Sequence, residues 1–302
     1  MRQQSQGHQI RRQRGGAFAE LPPPPLPGSA TDNTMPNTEF KRRMNDRLER
    51  WYKGASPHDD PKKQKRRQYI AGLVNKTAMF NYARRMELPL PERFAEVEQL
   101  EEMDFTSLPE RVVIKPNNAA NNDGVLLFDG PREVFTGDKV ALEERAAYTR
   151  RRYAEGAFIK GNSKIIAEEF IQDFDPVYTV PRDFKVYVVG GRPWVIQVVN
   201  RMGPKKDWSH RYYSQDWVPY DHFQRENALA PVIEAPRHFD ELMALATRIA
   251  KDINCFMRLD FYITAQRVVF GEFTSYPNAG LQFTQVGNNV LCDLMDRYPD
   301  PF

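Results

Sequence analysis

The residues best suited to chemistry lie near the C-terminal end, in Met257-Arg258-Leu259-Asp260-Phe261-Tyr262-Ile263 and the run from Arg267 to Ser275 that follows Ala265-Gln266. Strand side chains alternate between two faces. Arg258, Asp260 and Tyr262 therefore share one face, and Met257, Leu259, Phe261 and Ile263 share the other. The apolar set belongs against a core, which leaves a cation and a carboxylate side by side on the opposite face. The returning strand carries Glu272 and Thr274, again on one face. A two-residue turn at 265 and 266 pairs position 260 with 271 and sends Asp260 and Glu272 to opposite faces. A wider turn or a bulge near 264–267 brings them together. If they meet, two carboxylates beside an arginine form a hard-oxygen site for Mg²⁺ bridging phosphates. If they do not, the segment is a surface hairpin laced with ion pairs.

Three further segments carry candidate groups. Lys115 ends the apolar run Val112-Val113-Ile114 and precedes a polar loop, Asn117 to Gly124. A lysine so placed can reach a phosphate while loop N–H groups wrap it. The loop has a single glycine, although asparagine tolerates left-handed backbone better than most residues. The alternative is a hairpin with a lysine whose stem lies along apolar surface. Glu168-Glu169-Phe170-Ile171 ends another strand, either as a wall for adenine or simply as a strand edge. Asp183 and Lys185 share a face at the start of a third strand, as site residues or as an exposed cross-strand charge pattern.

The elements that must position these groups read as α+β. Phe40, Met44, Leu48 and Trp51 recur at helical spacing. A second helix starts at Lys76 behind an Asn75 cap and stops before Pro89. Between them, Lys62-Lys63-Gln64-Lys65-Arg66-Arg67 is a solvated helix start or a localisation or phosphate-binding run. From Arg111 the pattern changes to strands. Hairpins are predicted at 112–128, at 184–199 around Gly190-Gly191-Arg192-Pro193, and at 256–275. Residues 139–153 and the amphipathic 237–253 read as helices, and 200–236 as a long aromatic and charged loop. Residues 1–38, with Pro22-Pro23-Pro24-Pro25, lack the apolar groups to offset ordering entropy and read as a disordered tail.

Composition narrows the function class. The chain has 302 residues, 41% of them hydrophobic, which is enough for a real core. The 43 basic and 40 acidic residues nearly cancel, so composition requires neither a nucleic-acid nor a membrane partner. No apolar run approaches the roughly 20 residues of a membrane helix, and no apolar segment follows the N-terminal arginines as in a signal peptide. Cys255 and Cys292 lack metal-type spacing. A reducing cytoplasm is the expected compartment.

In order along the chain, these pieces resemble the ATP-grasp superfamily. Asn75-Lys76 with the helix and Leu88-Pro89-Leu90-Pro91 resembles its opening segment, Val113-Ile114-Lys115-Pro116 its second lysine strand, and Ala167-Glu168-Glu169-Phe170-Ile171 its adenine hinge. Arg258-x-Asp260 and Glu272-x-Thr274 resemble its Mg²⁺-binding ends. Asp183-Phe184-Lys185-Val186-Tyr187, Ser214 to Pro219 and Phe270 to Pro277 are most similar to the TupA-like branch, named for teichuronopeptide biosynthesis.

The resemblance implies an ATP-grasp fold, two α+β subdomains enclosing an ATP cleft and preceded by a short helical segment. The expected divisions are tail 1–38, helical segment 39–108, small subdomain 109–175 and large subdomain 176–302. It further implies that Lys76 and Lys115 hold phosphates and that Glu168, Glu169 and Ile171 border adenine, through the Glu169 carbonyl and the Ile171 N–H. Asp260, Glu272 and Thr274 would ligate Mg²⁺. Arg258 and Arg201 would stabilise an acyl phosphate, with Lys185 near the γ-phosphate. Thr274 stands where most ATP-grasp enzymes have asparagine, and the N-terminal part is reduced to helices.

The implied activity is an ATP- and Mg-dependent ligation of a carboxylate, small or glycan-linked, to an amine such as an amino acid. The alternatives are a phosphotransferase acting on a hydroxyl and a non-catalytic ATP-binding protein that uses its polyproline tail. The stretch Arg201 to Tyr220, with Trp208, Tyr212, Tyr213 and Trp217, is either an acceptor pocket or a packed loop. The sequence leaves the oligomeric state open.

Overall fold

A computed structural model of the chain describes residues 38–52, 60–117, 124–156, 163–202, 205–225 and 228–302. The proline-rich tail before Thr38 and positions 118–123 of the polar loop lie outside the described residues.

Three helices open the fold: α1 (Glu39–Tyr52), α2 (Pro61–Gly72) and α3 (Lys76–Arg85). Local chemistry starts two of them. Asp60 accepts from the Lys62 N–H ahead of α2, and Asn75 accepts from Thr77 and Ala78 N–H ahead of α3. Each side chain satisfies amide donors that a first helical turn leaves open.

The chain then builds β1 (Arg93–Val97), β2 (Arg111–Pro116), β3 (Leu126–Asp129), α4 (Arg145–Gly156) and β4 (Ile165–Glu169). These strands form one antiparallel sheet in the order β1-β4-β2-β3. Residues 39–108 are therefore not helical throughout: β1 lies inside that stretch and pairs with β4, and the sheet begins before position 109. Arg93, Ala95 and Val97 show only a weak alternation, so the strand is defined by its partner rather than by its own pattern. Val112, Ile114, Leu126, Phe128, Ile165 and Ala167 face α4 and form a core with Tyr148 and Tyr153.

The second sheet comprises β5 (Asp183–Val189), β6 (Arg192–Asn200), β7 (Ser209–Ser214), β8 (Pro219–Tyr220) and β9 (Ala228–Leu229), then α5 (Phe239–Ile253), β10 (Met257–Ile263), β11 (Val268–Thr274) and α6 (Gln285–Arg297). Its order is β11-β10-β5-β6-β7-β8, and β9 runs parallel to β7. Three short strands thus lie within 200–236, where the sequence reads as loop. Tyr212 and Tyr213 are buried in β7, and Trp217 stacks on Tyr213 at 4.2 Å. Those rings are mainly core.

Every residue of β5 is buried because both faces of the sheet are covered. One face packs Phe184, Val186, Leu259, Phe261 and Ile263 against α5 and α3. The other packs Tyr187, Val189 and Val195 against Phe40 and Met44 of α1 and Leu291 and Leu294 of α6. Arg47, not Leu48, completes the buried side of α1. It has no exposed surface, and it donates to the carbonyls of Ser275 and Phe256 and to Asp300. Among the described residues no helix is long and apolar enough to cross a membrane.

Candidate active site

The question left by the hairpin sequence is settled by a bulge. Thr264 N–H donates to the Arg267 carbonyl, so the turn at Ala265-Gln266 keeps its two residues. Tyr262 pairs with Val269 and Phe261 with Phe270, but Asp260 pairs with Glu272. Gly271 is the extra residue, well away from the 264–267 turn where sequence reasoning placed the irregularity. The bulge returns Asp260 and Glu272 to directly opposed positions on one face. A side chain on Gly271 would place its Cβ 3.2 Å from both the Asp260 carbonyl oxygen and the Tyr262 ring, so glycine keeps this close approach free of overlap.

The same face carries a straight cross-strand row. Tyr212 pairs with Gln197, Gln197 with Lys185, Lys185 with Asp260, and Asp260 with Glu272. Arg258 lies one step along β10, where its Nε donates to Asp260 Oδ1 at 2.7 Å. Its Nη2 donates to Asp260 Oδ2 at 2.8 Å and to Thr274 Oγ1 at 2.9 Å. Lys185 Nζ donates to Asp260 Oδ2. Burial raises the Asp260 pKa, but the charges of Arg258 and Lys185 outweigh it and hold the carboxyl down at about 2. Arg201 Nε lies 2.7 Å from Asp183 Oδ2, and its guanidinium sits 5.1 Å from the Trp208 ring.

Across the cleft, Lys115 Nζ donates to Glu168. The cleft between this sheet and the β10–β11 hairpin is lined by Lys76, Met79 and Phe80 of α3, Lys115, Ile166, Glu168, Tyr262, Gly271 and Glu272, with Leu90, Pro91 and Arg93 at its side. Burial depresses the Lys76 pKa, against the opposing pull of Glu272. The fold thus brings Lys76, Lys115, Glu168 and Glu272 to one cleft, with Asp260, Arg258, Lys185, Thr274 and Arg201 on the row and strands behind it.

Glu169 and Ile171 do not line this cleft. The Glu169 carboxylate instead accepts from Glu92 N–H and Arg267 Nη2, tying the end of β4 to the turn of the last hairpin. The lysines and arginines of α2 also lie outside it. Sequence reasoning missed Tyr262, Gly271, Arg93 and Phe80 as lining residues. The alternation that placed Arg258 and Asp260 on one face also placed Tyr262 there, so that residue was within reach of the same signal.

The donor set fits a hard divalent cation. Asp260 and Glu272 face each other, and among the described residues Glu272 carries no hydrogen bond or salt bridge. Thr274 Oγ1 is already engaged by Arg258, which leaves Glu272 with the most open oxygens of the three expected ligands. Among the described residues no group of three or more His, Cys, Asp or Glu side chains forms a cage of its own. Two carboxylates with phosphate oxygens completing the shell is the arrangement Mg²⁺ favours.

The TupA-like ATP-grasp family matches this sequence over residues 61–295. The chain belongs to that family. Its α+β architecture, two antiparallel sheets with an N-terminal helical segment, is the ATP-grasp fold. Among solved structures, a D-alanine-D-alanine ligase from Helicobacter pylori is similar at 15% identity and TM-score 0.45, over 76% of this chain and 62% of that one. A D-alanine-D-alanine ligase from Bacillus anthracis gives 14% and 0.47, over 76% and 67%. The ATP-grasp ligase PsnB, solved with a minimal precursor, Mg and ADP, gives 14% and 0.42, over 69% and 52%. The chain therefore spans about 62% of the Helicobacter ligase and about half of PsnB. No curated protein matches it.

Proposed function

We propose that this TupA-like ATP-grasp protein is an ATP-dependent ligase that joins a carboxylate to an amine. The observation that carries the reading is the convergence of lysines and carboxylates on one cleft. Lys76 and Lys115 enter the cleft from α3 and β2, and Glu272 with Asp260 and Lys185 behind it enters from the large sheet. A nucleoside triphosphate laid in this cleft would meet both the lysines and the metal-binding oxygens. Asp260 and Glu272 would hold Mg²⁺, which when bound neutralises charge on the phosphate oxygens.

Lys76 and Lys115 bind and orient the phosphate chain. Arg201 and Lys185 would bring positive charge from the large sheet toward the γ-phosphoryl group. A carboxylate oxygen of the acceptor attacks the γ-phosphorus, and the bond to ADP breaks. The amine nitrogen then attacks the acyl carbon, phosphate leaves and a proton is released. The residues contribute chiefly by holding partners in reach and by stabilising charge that develops in a dry site. Glu169 and Ile171 would border the base at the end of β4, and the two sheets would act as the small and large subdomains around the nucleotide.

Product analysis tests this reading. Purified protein is incubated with MgATP and pooled amino acids, and ADP, phosphate and new masses are measured. Amide products formed with equal ADP and phosphate are expected. Phosphorylated acceptor with no free phosphate identifies a phosphotransferase instead, and nucleotide binding without any turnover identifies a binding protein.

A further inference from the structure

Three of the cations that would meet phosphate already rest on carboxylates. Lys115 is on Glu168, Arg201 is on Asp183 at 2.7 Å, and Lys185 is on Asp260. Lys185 differs from the others because its partner is itself a candidate metal ligand. Its side chain is only 7% exposed, and its ammonium lies 3.9 Å from Asp183 Oδ1 as well as touching Asp260 Oδ2. Arg258 holds both oxygens of Asp260 from the other side.

We propose that Lys185 fills the divalent-cation position at Asp260 in the nucleotide-free protein, and that the metal, arriving with its polyphosphate, displaces the ammonium onto Asp183. The inference rests on the ligase reading for the identity of the metal site. A carboxylate offers about four lone-pair directions, and Arg258 and Lys185 together use three. A bare dication approaching Asp260 meets an ammonium in contact with the same oxygen. Repulsion between like charges at that separation is strong in a buried site. Arg201, Lys185 and Arg258 are already balanced by Asp183, Asp260 and Glu272, so nothing in the cluster compensates an extra dication. A triphosphate brings that compensation with it. Asp183, already beside the ammonium, gives the displaced lysine a second partner after a short movement. The metal thus loads as its nucleotide complex, and Lys185 passes to Asp183 in the same event.

The test measures Mn²⁺ binding to the full chain without nucleotide, by the loss of the free-ion paramagnetic resonance signal. Lys185→Met, and Lys185→Gln as a second neutral variant should the first fold poorly, are expected to bind Mn²⁺ at least about tenfold more tightly than the parent. Adding Asp260→Asn to either is expected to abolish the gain. Equal Mn²⁺ affinity in the parent and the folded neutral variant overturns the proposal, as does a gain that survives loss of Asp260. Titration of the parent with MgATP separates the two levels. If it binds MgATP and the neutral variants gain nothing, the exchange alone is wrong; if it binds none, the metal-site reading falls with it.

Discussion

Asp260 and Glu272 oppose each other across one strand pair, yet their surroundings differ. Asp260 is 3% exposed and held by Arg258 and Lys185, whereas Glu272 is half-buried with no hydrogen bond or salt bridge among the described residues. Function and stability should therefore separate at these two positions. Glu272→Gln removes a candidate metal oxygen and no hydrogen bond or salt bridge among the described residues, only its longer-range attraction to Lys76, Arg201 and Arg258, so its urea unfolding midpoint should stay close to the parent's, within about 1 kcal/mol of stability. Asp260→Asn leaves two buried cations facing a neutral amide and should cost about 3 kcal/mol or more. Both variants should lose Mg²⁺-dependent ATP turnover by about 100-fold or more, as removal of preorganised charge does. Parental turnover in either would move the metal site elsewhere.

At the scale of single elements, the bulge of β11 and the strand β7 each make a distinct prediction. Gly271→Ala introduces a methyl 3.2 Å from the Asp260 carbonyl and the Tyr262 ring, and one of them must yield. Because the bulge sets the facing of Asp260 and Glu272, turnover should fall about tenfold or more while the thermal midpoint changes little. Steady-state kinetics beside a melting curve reads both. On β7, His210 is 2% exposed, and burial depresses its imidazole pKa to about 4 from the usual 6.5. The unfolded chain then takes up the proton first as pH falls. Stability should decline from about pH 6.5 and level off below about pH 4, by up to about 3 kcal/mol. Denaturation across that window should show the slope in the parent and a flatter one in His210→Gln.

Across the whole molecule, Arg47 joins parts that are distant in sequence. From α1 it donates to the carbonyl of Phe256, which precedes β10, and to that of Ser275, which follows β11. It also pairs with Asp300, which in turn accepts from Phe256 N–H, and its guanidinium lies 3.6 Å from the Trp51 ring centroid. The opening helix and Asp300 therefore clamp both ends of the β10–β11 hairpin. Arg47→Met should cost about 3–5 kcal/mol, because it strips partners from a part-buried carboxylate and two buried carbonyls. Asp300→Asn should cost a smaller part of that, since the two carbonyl bonds remain. A loss under 1 kcal/mol for Arg47→Met in urea denaturation would show that the clamp contributes little.

Much of the site is local in origin and could be read from the chain alone. Strand alternation placed Arg258 and Asp260 on one face and Met257, Leu259, Phe261 and Ile263 in the core, and the Asn75 cap marked the start of α3 beside Lys76. Such patterns depend on neighbours one to four positions away, so the sequence contains them whole. The facing of Asp260 and Glu272 is different in kind. Alternation across a two-residue turn separates them, and the turn is indeed two residues long. Only the extra residue at Gly271, in a strand whose Glu272 side must meet the cleft and whose Phe270 and Phe273 must meet the core, reverses the outcome. The same holds for β1, weak in pattern and completed by β4, and for Arg47, a buried cation on a face that periodicity assigns to Leu48. These features are decided by partners tens to hundreds of residues away, and it is pairing and packing between such partners, not the spacing of nearby residues, that makes them favourable.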